Sequence, residues 1–154
     1  MTVNEWEKLY LDDLSVGQTF ESDPVTVVHE SMLAFAREFD PQPFHLAPAE
    51  AEMSLFRGLA ASGWNTATLT MEMLVVSVPL GNGIIGLGIE LAWPTPTYPD
   101  DVLHLNCTVL AIDHSASKAD RGVVTMLMET RNQYDKVVQR ATGKLLVFQR
   151  PAED

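Results

Sequence analysis

The sequence predicts an α+β domain in which a curved antiparallel sheet wraps around one long helix. Helix-start signals and helical periodicity occupy the first half of the chain, whereas four long runs of apolar and β-branched residues occupy the second half. A nearly continuous apolar segment, residues 62–77, lies between the two halves. Because the four runs exceed the usual strand length of about five or six residues, the sheet must curve around something, and this apolar segment is the obvious candidate.

Composition indicates one folded, acidic domain. The 154 residues are 46% hydrophobic and 20% charged, with a net charge of −11. A chain of this length buries about two-thirds of its surface on folding, so it needs no disulfides. The charge argues against nucleic-acid and anionic-membrane partners, and no segment resembles an export signal or a membrane span. We therefore expect a single cytoplasmic domain over residues 1–154, with residues 1–11 and 150–154 at its periphery.

Residues 17–30 predict a strand or hairpin arm, interrupted at Asp23 and Pro24. Ser31 is a candidate N-cap for a helix over residues 32–39, and Pro41 disfavours helical backbone at the residue before it. A short helix over residues 48–55 can begin at Pro48.

The segment 62–77 predicts a helix roughly 24 Å long. Its apolar side chains cover nearly the whole circumference, which predicts burial on all sides. The four strands that follow are predicted over residues 84–93, 102–112, 123–133 and 137–149, separated by the turn sequences PTPTYPDD, DHSASKADRG and YDK.

Asp40 and His45 enclose two prolines in the stretch DPQPFH. Pro41 and Pro43 exclude a helix across the pair, and in a stiff loop the two side chains can converge. A carboxylate beside an imidazole suits reactions in which water is activated and a proton is moved. The simpler interpretation is that Asp40 ends a helix and His45 lies in a surface turn. The residues that follow favour the catalytic interpretation.

Ser62 and Gly63 stand where the long apolar helix begins. Free backbone N–H groups and the positive end of the helix dipole lie at such a start, and Gly63 has no Cβ to hold a ligand away from them. This arrangement can form an oxyanion hole for a carbonyl that gains negative charge. The alternative is that Ser62 is only an N-cap and Gly63 only a packing residue.

The other reactive side chains are interpreted as structural. Cys107 alternates with inward apolar residues and reads as part of the core. His29, His104 and His114 have no metal-ligand spacing, so we expect no metal site.

The segments FDPQPFHL, FRGLAASGWNTATLTMEMLV and ELAWPTPTYPDDVL resemble the MaoC-like dehydratases of the hotdog fold, a family that includes R-specific enoyl-CoA hydratases. The resemblance covers residues 12–149. It implies the hotdog fold, with a curved antiparallel sheet around a long helix, and Asp40 and His45 as the catalytic pair. It also implies a homodimer or a higher homo-oligomer built from dimers, with an acyl-CoA thioester bound near the subunit interface.

Two positions depart from the family pattern. Ala47 stands where the family often has an aspartate, and Asn65 stands where it often has a histidine. Asparagine keeps hydrogen-bonding capacity but does not titrate near neutral pH. These departures bear on substrate choice and leave Asp40 and His45 intact.

The implied activity is reversible syn hydration of a trans-2-enoyl thioester to a 3-hydroxyacyl thioester, with water between Asp40 and His45 and either residue as the base. Backbone N–H groups near Gly63 are expected to stabilise the oxyanion, Ser62 to orient the Asp40 carboxylate or the substrate, and Asn65 to help position the substrate. CoA enters only as part of the substrate, so no cofactor is expected. One alternative is a hotdog thioesterase that uses Glu72, the only acid on the long helix. The other is a non-catalytic acyl-CoA-binding subunit.

Two further sets of side chains are candidates for substrate contacts. The cations that can meet the CoA phosphates are Arg57, Arg121, Arg140 and Lys144. The apolar side chains that can line an acyl tunnel include Phe39, Phe44, Leu59 and Trp64.

Overall fold

The computed structural model describes residues 8–153 and contains four α-helices and six strands within that range. The helices are α1 (His29–Phe39), α2 (Pro43–Leu46), α3 (Pro48–Glu52) and α4 (Gly63–Ser77). The strands are β1 (Thr19–Glu21), β2 (Val25–Thr26), β3 (Ile85–Ala92), β4 (Val102–His114), β5 (Arg121–Arg131) and β6 (Val137–Phe148). A short 3-10 helix, Leu11–Asp13, precedes β1.

The strands form one antiparallel sheet in the order β1-β4-β5-β6-β3, and β2 pairs with the beginning of β4. Buried and partly exposed side chains alternate strictly along β5, so one sheet face carries the core. Strand β3 pairs with β6 and ends this order of strands. The prediction of an α+β fold with four long antiparallel strands is confirmed.

Helix α4 packs one face against the sheet. Thr70 on that face lies 2.7 Å from Thr130 of β5, measured between their hydroxyl oxygens, and Met73 joins the apolar core. On the opposite face Met71 and Val75 are 42% and 47% exposed. The prediction that this helix is buried on all sides is therefore wrong for the protomer, because a single sheet layer covers only one side of a helix.

The N-terminal elements differ in detail from the sequence predictions. Two short strands replace the single predicted arm, because the Asp23-Pro24 pair interrupts the ladder to β4. Helix α1 begins at His29, with Val28 rather than Ser31 at the N-cap. Helix α3 ends at Glu52, three residues before the predicted end.

The expectation that residues 1–11 are peripheral is wrong for Leu11, which is 1% exposed and belongs to the core. Its apolar side chain packs against Gly122, where an added Cβ would lie 3.0 Å from the Leu11 side chain. Arg150 pairs with Asp13 at 2.7 Å and ties the other end of the chain to this segment. Residues 1–7 and 154, also predicted to be peripheral, lie outside the described residues.

Cys107 lies inside the sheet core, as its alternation with apolar residues predicts. Its side chain is buried, and burial raises the pKa of the thiol to about 12. Because the thiolate is the reactive form of cysteine, this residue is not a nucleophile in the folded protein.

Candidate active site

The segment that carries Asp40 and His45 is irregular at Asp40 and Pro41 but helical from Pro43 onward. Helix α1 ends at Phe39, and Asp40 leaves the helical conformation. Pro43 then starts α2, a single helical turn, because its fixed φ suits the first helical position. His45 sits in that turn and is 5% exposed, so the interpretation of this histidine as a surface residue is wrong.

The structure brings Asp40 and His45 together. His45 Nε2 lies 3.2 Å from Asp40 Oδ2. The other ring nitrogen, Nδ1, lies 2.7 Å from the carbonyl oxygen of Ala60. Because a carbonyl only accepts hydrogen bonds, Nδ1 carries a proton, and in the neutral ring Nε2 is an acceptor. With a neutral ring the pair presents two acceptors, Nε2 and Oδ2, to one point, which suits a bound proton donor such as water; with a protonated ring Nε2–H donates to Oδ2 directly.

Asp40 is held by two side-chain donors. Ser62 Oγ donates to Oδ2 at 2.7 Å, and the Gln42 side-chain amide donates to Oδ1. Partial burial opposes ionisation of the carboxyl group. The hydrogen bonds from Ser62 and Gln42 and the neighbouring His45 outweigh burial and lower the pKa of Asp40. Asp40 is therefore a carboxylate at neutral pH.

The start of α4 contributes to the same site. Ser62 occupies the N-cap, but its hydroxyl makes no cap hydrogen bond and is directed to Asp40 instead. The carbonyl of Ser62 accepts hydrogen bonds from the N–H groups of Asn65 and Thr66 at 2.9 and 3.1 Å. Over residues 8–153, the N–H groups of Gly63 and Trp64 have no acceptor. They are free donors of the kind an oxyanion hole requires.

A cavity of about 360 Å³ opens beside the pair. His45 and Gly63 both line it, so the imidazole and the start of α4 face the same space. Its apolar wall includes Leu55, Phe56 and Trp93.

Several predicted site residues lie elsewhere. Asn65 is buried, does not line the cavity, and has Thr68 Oγ1 3.3 Å from its side-chain oxygen. Phe39 and Trp64 are 65% and 59% exposed, and the residues that line the cavity include neither of them. Phe44 packs edge-on against the His45 ring at 4.6 Å between ring centroids and supports the imidazole from behind.

Backbone hydrogen bonds join the segment that carries Asp40 and His45 to its surroundings. The Ala60 N–H donates to the Phe44 carbonyl at 3.1 Å, next to the hydrogen bond between His45 and the Ala60 carbonyl. These two bonds fix α2 relative to the chain that leads into α4. The Ala61 N–H donates to the Thr97 carbonyl at 2.8 Å. The loop before β4 thereby fixes the chain just ahead of Ser62.

Two of the four candidate cations already have carboxylate partners. Arg121 pairs with Asp120 at 2.9 Å, and Arg140 pairs with Glu129 at 3.0 Å. Arg57 and Lys144 are exposed, and no carboxylate among residues 8–153 pairs with either. Arg57 directly follows Phe56 of the cavity wall, which leaves it the better placed candidate for a phosphate.

Sequence reasoning missed four contributors to the site: Gln42, the Ala60 carbonyl, Trp93 and Gln139. Gln42 lies between the two prolines of DPQPFH, two residues after Asp40. A polar side chain at that position could have indicated a hydrogen bond back to Asp40. Gln139 interrupts a buried strand with a polar side chain, and its partner is the indole of Trp93.

Within residues 8–153, no three His, Cys, Asp or Glu side chains are grouped so that they could hold a metal ion. In that same range no helix is both long and apolar enough to span a bilayer.

The fold and the site together define a hotdog-type domain with a carboxylate–imidazole pair beside the free N–H groups at the N-terminus of α4. Residues 13–138 match the sequence model of the MaoC like domain, so this chain belongs to the MaoC-like family. It is 55% identical to the MaoC-like dehydratase from Rhodospirillum rubrum, with a TM-score of 0.92 over 94% of this chain and 99% of that structure.

Other relatives are more distant. The R-hydratase PhaJ1 from Pseudomonas aeruginosa is 25% identical, with a TM-score of 0.73 over 96% of this chain and 94% of that structure. The uncharacterized protein YdeM of Bacillus subtilis (strain 168) is 34% identical over 90% of this chain and 96% of its own length. The resemblance inferred from the sequence is therefore confirmed, and at family level the chain is a hydratase or dehydratase.

Proposed function

We propose that this protein catalyses the reversible syn hydration of a trans-2-enoyl-CoA to a 3-hydroxyacyl-CoA, with Asp40 and His45 as the catalytic pair. One observation carries the proposal: Asp40 Oδ2 lies 3.2 Å from His45 Nε2, and each partner is oriented by a further hydrogen bond. The names of the relatives, a MaoC-like dehydratase and an R-hydratase, support the same class of reaction.

Water binds first, as a donor to the two convergent acceptors Asp40 Oδ2 and His45 Nε2. The proton on Nδ1 is committed to the Ala60 carbonyl, so Nε2 is the nitrogen that is free to accept a proton. Asp40 is ionised and is already an acceptor from Ser62 and Gln42, which suits it to orient the water and stabilise an imidazolium.

The reaction then adds the elements of water across the double bond. The water oxygen bonds to C3 while His45 Nε2 takes one of its protons, and the electrons of the double bond move into the thioester carbonyl. The N–H group of Gly63, which lines the cavity with His45, meets the negative oxygen. The imidazolium, stabilised by Asp40, returns its proton to C2 on the same face of the substrate, so addition is syn.

The substrate lies along the cavity beside the pair, with its CoA end directed to solvent. Leu55 and Phe56 provide an apolar wall for the acyl group. Arg57, adjacent to that wall, is the proposed contact for a CoA phosphate, as a cation that lacks a carboxylate partner among the described residues.

We also propose that the protein functions as a homodimer formed through β3 and the outer face of α4. In the described sheet, β3 ends the order of strands and pairs with β6 on one side. Leu87 and Ile89 of β3 are 55% and 60% exposed, and Met71 on the outer face of α4 is 42% exposed. A second copy of this chain is the partner that fits this surface best. A twofold pairing of β3 with its copy would satisfy the backbone groups at the open strand edge and cover the exposed apolar side chains of β3 and α4.

The thioesterase alternative has less support in this site. Glu72 is exposed and borders a small, separate cavity of about 170 Å³ with Asp23 and Val76. It does not line the cavity that contains His45.

A single assay separates the three functions. The loss of conjugated enoyl absorbance is followed with crotonyl-CoA, and release of free CoA is followed in parallel with a thiol reagent. Hydration predicts absorbance loss without thiol release, and Glu72→Gln should leave the rate unchanged. Thiol release that depends on Glu72 would instead establish a thioesterase, and acyl-CoA binding without turnover would establish a binding subunit.

A further inference from the structure

Two cavities lie end to end between α4 and the sheet. The first, of about 360 Å³, is the cavity beside His45. The second, of about 430 Å³, is predominantly apolar. Gly63 and Thr66 of α4 line the first, whereas Ala67 and Thr70, one helical turn further on, line the second. The two cavities are therefore consecutive along the same face of α4.

The sheet side shows the same succession. Trp93 lines the first cavity, and Leu91, two residues earlier on the same side of the chain, lines the second. Val138 lines the first cavity, and its neighbour Gln139 lines the second. The boundary between the cavities thus falls between residues 91 and 93 and between residues 138 and 139.

A hydrogen bond crosses this boundary. The indole Nε1–H of Trp93 donates to Gln139 Oε1 at 2.9 Å. Gln139 is 2% exposed, so the acceptor is held within the packed interior. The indole also lies against the start of α4, because an added Cβ on Gly63 would come within 2.7 Å of its ring. Trp93 therefore lies between α4 and the sheet, with its indole N–H bonded to Gln139, its ring against Gly63, and 40% of its surface exposed.

We propose that Trp93, held by Gln139, is the specificity-determining residue that ends the acyl pocket and restricts the enzyme to short-chain enoyl thioesters. The inference rests on the proposed function. Without the indole, the catalytic cavity would continue into the second cavity, whose lining is suited to a hydrocarbon tail. The outer rim of the second cavity includes Leu87 and Ile89, which the second copy in the proposed homodimer would cover.

The test compares chain-length selectivity in the wild type, Trp93→Ala and Trp93→Phe, using crotonyl-CoA and trans-2-decenoyl-CoA. The wild type should favour crotonyl-CoA. Trp93→Ala should raise the ratio of kcat/KM for decenoyl-CoA over crotonyl-CoA at least about tenfold, since each methylene that enters an apolar pocket contributes about fourfold. Trp93→Phe should raise this ratio less, because a phenyl ring still fills part of the gap.

Binding provides a readout that does not need turnover. Calorimetry with the saturated thioesters butyryl-CoA and decanoyl-CoA should show a gain for the longer chain in Trp93→Ala and a smaller gain in Trp93→Phe. Gln139→Leu, which removes the acceptor and keeps similar bulk, should shift the preference in the same direction because the indole loses its anchor. Tyr134→Ala, an exposed aromatic on the β5–β6 turn, is the matched control and should not change the preference.

The outcomes are distinct. A wild type that handles both chain lengths equally, or folded Trp93 variants whose preference is unchanged in both assays, would overturn the inference. If no protein turns over either substrate but Trp93→Ala still gains affinity for decanoyl-CoA, the proposed function is refuted and the role of Trp93 as the end of the pocket is supported. If no variant and no wild-type protein binds either thioester, both proposals are wrong.

Discussion

Ser62→Ala removes a hydrogen bond that a buried serine donates to the proposed catalytic carboxylate, Asp40. Ser62 Oγ donates to Asp40 Oδ2 at 2.7 Å, and the serine is 1% exposed, so solvent is poorly placed to replace the donor. The same carboxylate oxygen faces His45 Nε2 at 3.2 Å. In the proposed mechanism, loss of the hydroxyl therefore acts on the carboxylate oxygen that orients both the water and the imidazole.

The size of the effect follows from the charge on the acceptor. Hydrogen bonds to charged groups contribute about 1.5–3 kcal/mol, which corresponds to a loss of roughly ten- to a hundredfold in kcat if the bond is made fully in the transition state. The Ser62 hydrogen bond also lowers the pKa of Asp40. Its removal should raise that pKa, so the acid limb of the pH–rate profile should move to higher pH.

The assay is hydration of crotonyl-CoA by Ser62→Ala across a range of pH, with thermal unfolding measured on the same samples. Ser77→Ala is the control, because Ser77 lies at the other end of α4 and its hydroxyl donates to the Met73 carbonyl. A folded Ser62→Ala protein with wild-type kcat and an unmoved acid limb would refute the role given to this hydroxyl.

Three further predictions concern stability, thiol chemistry and assembly. The fold lowers the pKa of Asp40 below its ordinary value of 3.8. The ionised carboxylate therefore stabilises the folded state above pH 3.8, and this stabilisation is lost as the pH falls through the pKa that Asp40 has in the folded protein. The stability advantage of wild type over Asp40→Asn in urea unfolding should therefore shrink below about pH 4, and an advantage that is constant with pH would contradict this. Because burial raises the pKa of Cys107 to about 12, iodoacetamide should leave the native protein unmodified at neutral pH and alkylate it after unfolding; rapid alkylation of the native protein would show that the core assignment is wrong. Ile89→Glu, at an exposed position on β3, should convert the proposed dimer to a monomer in sedimentation velocity, whereas Leu110→Glu on β4 should not, and a dimer that survives Ile89→Glu would exclude β3 from the interface.

The parts of this protein that the sequence predicts well are those with strong local signals. The long strands alternate in hydrophobicity, and α4 is continuous from residue 63 to 77, within one residue of its predicted start. The pairing of Asp40 with His45 follows from two prolines that restrict the intervening chain. These features depend on neighbours in sequence, which is why they are readable from it.

The parts that it does not predict depend on contacts between distant segments. The Trp93–Gln139 hydrogen bond joins residues 46 positions apart. An apolar side chain does not reveal from sequence whether it faces the protomer core, so the apolar pattern of α4 predicts burial on all sides although Met71 is 42% exposed. Asn65 shows a related limit, since proximity in sequence to Ser62 did not bring its amide into the cavity.

The most direct test of the central claim is a double-mutant cycle on Asp40 and His45, with kcat/KM for crotonyl-CoA measured in Asp40→Asn, His45→Ala and the double variant. If the two side chains act as one unit on one water, each single variant should lose at least about a hundredfold, and the double variant should be little slower than either. Folded single variants with wild-type activity, or losses that multiply in the double variant, would contradict the account.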